Sequence, residues 1–161
     1  MHTTLWFTTA ALVLGCATTE PSNAQHPEPK LQPADYSSMV VLPYDTNDYW
    51  LFKGKCSTTQ LTKSEIDQVD ALVRECIDQY MKDRARKDPY AVTRKGYNLQ
   101  LVAVKNEQGE IVVWVNALCR RSHDDWRSRI VVVMDGGNCY YQLKVNLTKK
   151  TFFDFGVNGY A

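Results

Sequence analysis

Residues 62–89 read TKSEIDQVDALVRECIDQYMKDRARKDP and residues 97–119 read YNLQLVAVKNEQGEIVVWVNALC. The change of hydrophobic period between these two stretches decides the fold class. In the first, Thr62 and Glu65 stand at capping-box spacing, and Leu61 and Ile66 flank them as a hydrophobic staple. Ile66, Val69, Val73, Cys76, Ile77 and Tyr80 then recur at steps of three and four, which aligns them on one face of a helix. Acids (Glu65, Asp67, Asp70) gather at its start and bases (Lys82, Arg84, Arg86, Lys87) at its end, as the helix macrodipole favours. Pro89 is expected to close it.

In the second stretch the period falls to two, which predicts strands over residues 97–105 and 111–119. The connection at 106–109 suits a three-residue hairpin with Gly109 left-handed. Asn106 then faces Glu110, Ala103 faces Val113 and Leu101 faces Val115. Two more strands are expected, at 129–134 and 139–147, joined by a tight turn at 135–138 that sets Met134 opposite Cys139. This register gives one nearly pure apolar face, with Tyr97, Leu99, Leu101, Val113, Val115, Ile130, Val132, Met134, Tyr141, Leu143 and Val145, to receive the helix. The other face mixes Asn98, Gln100, Gln142, Lys144 and Asn146 with Val102, Val112, Trp114, Val131 and Val133. The predicted class is α+β, one long helix packed on a four-stranded antiparallel meander. Residues 39–53 are apolar enough for a strand or hairpin but have no assigned place.

That element order resembles the cystatin-like and nuclear-transport-factor-like (NTF2-like) folds. A more specific resemblance rests on Val113-Trp114-Val115-Asn116 with Cys119, on Asp135-Gly136-Gly137-Asn138-Cys139-Tyr140-Tyr141, and on Val157-Asn158-Gly159-Tyr160-Ala161 at the terminus. Together these resemble a family of small uncharacterised bacterial secreted proteins and lipoproteins. The resemblance covers roughly residues 60–161. It implies a cystatin-like helix-on-sheet domain in the cell envelope and implies no activity. The Gln-x-Val-x-Gly inhibitory loop of cystatins has no counterpart, because residues 100–104 lack the final glycine and read as mid-strand.

Outside the domain, residues 5–14 form an uncharged apolar run, too short for the roughly twenty residues that span a bilayer but of the length of a signal-peptide core. Val13-Leu14-Gly15-Cys16 looks like a lipobox, which makes Cys16 the expected lipidation site. Cleavage after Ala17 is the alternative, with plain secretion as its consequence. Residues 17–37 carry Pro21, Pro27, Pro29 and Pro33 among small and polar residues, and they read as an extended linker. The expected organisation is a signal segment over 1–16, a linker over 17–37 and one domain over 38–161. The expected location is the bacterial cell envelope, with a lipid anchor at Cys16. Of the 161 residues, 44% are hydrophobic and 23% charged, so a packed core is expected. The net charge of +1 gives no global field for nucleic acid.

Four cysteines remain beyond Cys16, an even number that permits two disulfides in an oxidising compartment. Cys76 and Cys139 both point into the predicted core and are the candidate pair, either bridged or packed as thiols. In the expected register Cys119 and Cys139 lie too far apart to join. No CxxC, HExxH, phosphate-binding glycine loop or GxSxG is present. His123 stands beside Asp124 and Asp125, but a solvated loop accounts for them. No catalytic residue, cofactor or metal site is therefore expected. The leading expectation is a non-enzymatic tethered domain that binds a protein partner or itself. Trp114, Val112, Val102, Val131 and Val133 form the candidate surface, on the face away from the helix. The alternative is a small-ligand carrier or enzyme with a pocket between helix and sheet.

Overall fold

The computed structural model describes residues 32–85, 87–93, 95–120 and 123–160. The elements in chain order are β1 (Met39–Leu42), β2 (Cys56–Thr58), α1 (Lys63–Met81), β3 (Tyr97–Asn106), β4 (Ile111–Cys119), β5 (Tyr140–Asn146) and β6 (Thr151–Val157). Cys16, the signal segment and most of the expected linker lie outside the described residues.

The β3–β4 hairpin has the register that alternation requires, with Leu101 opposite Val115 and Ala103 opposite Val113. Gly109 closes the turn at φ +77°, where a side chain would be strained. The capping box forms: Thr62 Oγ1 accepts from the Glu65 N–H and Glu65 Oε2 accepts from the Thr62 N–H. The helix ends at Met81, before the basic run and well short of Pro89. On its inner face Val69, Val73, Cys76 and Ile77 bury against Leu99, Leu101, Val113, Val115, Tyr141, Leu143 and Val145.

The sheet departs from a four-stranded meander in three ways. Its strand order is β1-β3-β4-β5-β6, with β2 also on β3. β1 runs parallel to β3 beside Leu99–Val102, and β2 pairs antiparallel with the following stretch of β3, so together they cover one edge. Residues 39–53 thus supply β1 and a run of 3-10 turns, Thr46–Leu51. β6, absent from the sequence reading, forms the opposite edge against β5.

The third departure concerns residues 129–134, which form no strand. Their backbone groups are taken by side chains on the sheet below. Gln100 donates from Nε2 to the Arg129 carbonyl, and its Oε1 accepts the Val131 N–H. Asn116 Nδ2 donates to the Val131 carbonyl and Asn158 Nδ2 to that of Val133. A segment bonded in this way lies over the sheet and cannot pair within it. Of its expected inward residues, Val132 at 60% exposure and Met134 at 89% face solvent, and Ile130 packs on the outer face of the sheet. β5 then pairs directly with β4, with Leu118 opposite Tyr140.

That pairing brings together Cys119 and Cys139, which are disulfide-bonded with Cα atoms 4.9 Å apart. The expected separation of these two cysteines is wrong, because it assumed a strand between β4 and β5. The candidate pair Cys76 and Cys139 is excluded with it, and Cys76 is a buried free thiol. The packed chain also begins before residue 38. Ala34 is buried and its N–H reaches Asp67 Oδ1 at 2.8 Å, while Asp35 pairs with Arg120 at 2.8 Å.

Candidate functional site

The face of the sheet away from α1 was the expected partner surface. It is largely covered. Leu42, Leu51 and Phe52 pack with Val102, Val104, Val112 and Trp114, and the Trp50 ring meets that of Trp114 edge-on at 5.8 Å. Trp114 is 7% exposed. Val131 is buried with Leu118 and Trp126, and Val133 is half-buried against them. Of the five proposed surface residues, then, Val102, Val112, Trp114 and Val131 are interior. Two shallow hollows of about 300 Å³ each remain open, one above Trp114 bounded by Trp50, Val132 and Met134, the other beside Phe52, Val112 and Phe153.

The polar residues of this face are interior as well. Gln100 and Asn116 are buried and bonded to each other and to the covering loop. Gln142 Nε2 donates to Asn116 Oδ1 at 3.1 Å, which extends the ladder across three strands. His123 Nε2 lies 3.2 Å from the Tyr140 hydroxyl, and Asp125 pairs with Arg129. No cluster of metal-ligating side chains occurs among the described residues.

A larger opening lies elsewhere, between α1 and the end of the sheet that carries Tyr97 and Tyr141. It is a cleft of about 540 Å³. Met39, Val73, Ile77 and Leu99 give it apolar walls, and Asp35, Asp70, Arg74, Lys95 and Arg120 supply charge. The N-terminal 3-10 turn Tyr36–Ser38 holds one side, with Asp35 as its cap. Asp70 is buried and forms an i,i+4 ion pair with Arg74, whose guanidinium reaches outward. Burial raises the Asp70 carboxyl above the usual range, against the opposing pull of Arg74. The Tyr97 hydroxyl donates to the Asn138 carbonyl at 2.7 Å. Tyr141 lies beside it, ring centroids 4.9 Å apart, and burial pushes its hydroxyl strongly toward the protonated form.

Of these cleft residues, the sequence places Tyr97 and Tyr141 on the inner face of the sheet, where they read as core. The strands contribute no carboxylate to that face. The carboxylate comes from the helix. One signal was present: Ile66, Asp70, Val73 and Ile77 follow the same three- and four-residue steps as the apolar stripe, so an acid occupies a core-facing position.

Comparison of the chain with protein-family models, curated proteins and solved structures gives no match. The three stretches that carry the resemblance to small secreted bacterial proteins do, however, meet in space. The Gly137 N–H donates to the Gly159 carbonyl, and Asn158 Nδ2 donates to the carbonyls of Val133 and Asp135. Cys139 ties the same turn to the end of β4. These motifs hold the C-terminal segment and the 135–139 turn together, and of their residues Tyr141 lines the cleft.

Proposed function

We propose that this chain is a non-enzymatic binding domain of the bacterial envelope, tethered through Cys16, that takes a small ligand in the cleft between α1 and the sheet. The observation that carries this reading is the cleft itself. Its volume lies within the several hundred cubic ångströms of ordinary ligand sites, and it combines apolar walls with a few placed charges. The Cys119–Cys139 disulfide supports an oxidising compartment, where such bonds persist. The helix-on-sheet core agrees with a cystatin-like or NTF2-like relationship at the level of α+β class.

A second reading keeps a protein partner or a second copy of the chain on the outer face. It is favoured by the exposed cluster of Trp50, Val132 and Met134 around the Trp114 hollow. Amide chemical-shift mapping of the mature chain against a panel of small organic molecules separates the two. Shifts at Asp70, Val73, Gly96 and Tyr97 support the cleft. Shifts confined to Trp50, Val132 and Met134 move the function to the outer face, and a panel with no localised response removes the ligand-binding reading.

A further inference from the structure

Tyr141 is 2% exposed, lines the cleft, and its hydroxyl makes no hydrogen bond to any described residue. The side chain forms part of the cleft wall, beside Tyr97 and Leu99. A buried donor without an acceptor is costly unless something enters to accept from it. The charges around it sort the same way. Asp70 already accepts from Arg74, and Asp35 accepts from Arg120 and from Ser37. Lys95 has no ion-pair partner among the described residues. Each acid on the cleft wall is thus paired with an arginine, and this leaves two donors for a ligand: an O–H inside and an ammonium at the edge.

Building on the cleft as the ligand site, we propose that it takes a carboxylate-bearing molecule with an apolar body, whose acid group accepts from the Tyr141 hydroxyl in a field set by Lys95. Met39, Val73, Ile77 and Leu99 would pack against the apolar part. Burial keeps the Tyr141 hydroxyl protonated and hence able to donate. A hydrogen bond from a neutral hydroxyl to a carboxylate in a water-poor site is among the stronger ones.

The test uses the mature chain with three probes of equal length: octanoate, octanol and octylamine, titrated at neutral pH by calorimetry and by amide shifts. Octanoate should bind at least tenfold more tightly than either other probe, with shifts at the cleft residues. Tyr141→Phe should weaken octanoate roughly tenfold, leave octanol unchanged, and melt no lower than the parent, since the lost hydroxyl has no partner among the described residues. Lys95→Gln should weaken octanoate severalfold and flatten its salt dependence. Equal binding of octanoate and octanol, stronger binding of octylamine, or full octanoate affinity in Tyr141→Phe would overturn the carboxylate assignment while leaving the cleft as a site. Failure of all three probes to shift any cleft residue would remove the site along with the assignment.

Discussion

Asn116 Nδ2 donates to Gln100 Oε1 at 3.0 Å, across adjacent strands and wholly inside the protein. Sheet faces that carry Gln and Asn are ordinarily solvated. Here the two amides serve as a template for a loop. Gln100 Nε2 donates to the carbonyls of Trp126 and Arg129, each at 2.6 Å, and its Oε1 also accepts from Val131. One side chain thus satisfies three backbone groups of a segment that has no ladder of its own.

Gln100→Leu should accordingly be far more damaging than a change of similar size at an exposed position. It keeps the volume but leaves those backbone groups without partners, each worth about 1–3 kcal/mol when buried. A loss of about 3–5 kcal/mol in chemical denaturation is expected, with amide exchange accelerated first over residues 126–133. Unchanged exchange in that segment would show that the loop is held by its apolar residues alone.

The disulfide between Cys119 and Cys139 closes the same loop at its base. With a sequence separation of 20 between the cysteines, loop-closure entropy gives about 3 kcal/mol. Reduction, or Cys119→Ser with Cys139→Ser, should lower the melting temperature without abolishing the fold, because α1 and the main core do not depend on the bond. Peptide mapping should recover the Cys119–Cys139 pair. Cys76 should resist alkylation in the native chain, since burial lifts its thiol pKa to about 11 and hides it from reagent. Rapid native alkylation of Cys76 would contradict the packing of α1.

The helix, its cap and the β3–β4 hairpin are legible in the sequence because each is specified locally. Thr62 and Glu65 cap through neighbours, and the hairpin register follows from Asn106 and Gly109. Residues 129–134 misled for a physical reason. Ile130, Val131, Val132 and Val133 have high strand propensity, but the acceptors and donors they meet belong to Gln100 and Asn116, distant in sequence. The mistake carried over to the cysteines, because inserting a strand separates β4 from β5. β6 is not legible because Phe152, Phe155 and Val157 face the core out of strict alternation, where the pairing shifts register and Asp154 takes φ +54°. Of the charged cleft residues, Asp70 alone has a periodic signal, as an acid in an apolar stripe. Tyr141 reads as an ordinary core residue until the cleft that it lines is seen.

Two carboxylates one helical turn apart respond to acid in opposite directions. Asp67 accepts from the Tyr36 hydroxyl and the Ala34 N–H, which hold its pKa below the ordinary value of 3.8. Its contribution to stability is full above the unfolded pKa and is lost as pH falls through the folded one. Asp70 is raised by burial, so its charged form weighs against folding above the folded pKa, and that penalty disappears as the group protonates. In stability measurements between pH 7 and pH 2.5, Asp67→Asn should cost most at neutral pH and converge on the parent in acid. Asp70→Asn should be nearly neutral or stabilising at pH 7, and any stabilisation should fade toward acid. A cost for Asp70→Asn that grows with rising pH would mean that the Arg74 pair outweighs desolvation.

The diglycine turn and the C-terminus form a latch that one methyl group should spoil. Gly137 sits at φ +58°, where non-glycine residues are strained, and its N–H is bonded to the Gly159 carbonyl at 2.9 Å. A Cβ there would lie 2.0 Å from the Tyr160 ring. That ring is fixed in turn: its hydroxyl donates to the Pro89 carbonyl at 2.5 Å and accepts from the Asn138 N–H at 3.3 Å. Gly137→Ala must therefore bear the backbone strain and also displace Tyr160, for a cost of about 1–3 kcal/mol. Removing the ring should separate the two effects. In a Tyr160→Ala background, Gly137→Ala should cost less than in the parent, a positive coupling readable from a double-mutant cycle by urea denaturation. Strictly additive costs would show that the aromatic ring does not press on the turn, and that the glycine is required by its backbone angle alone.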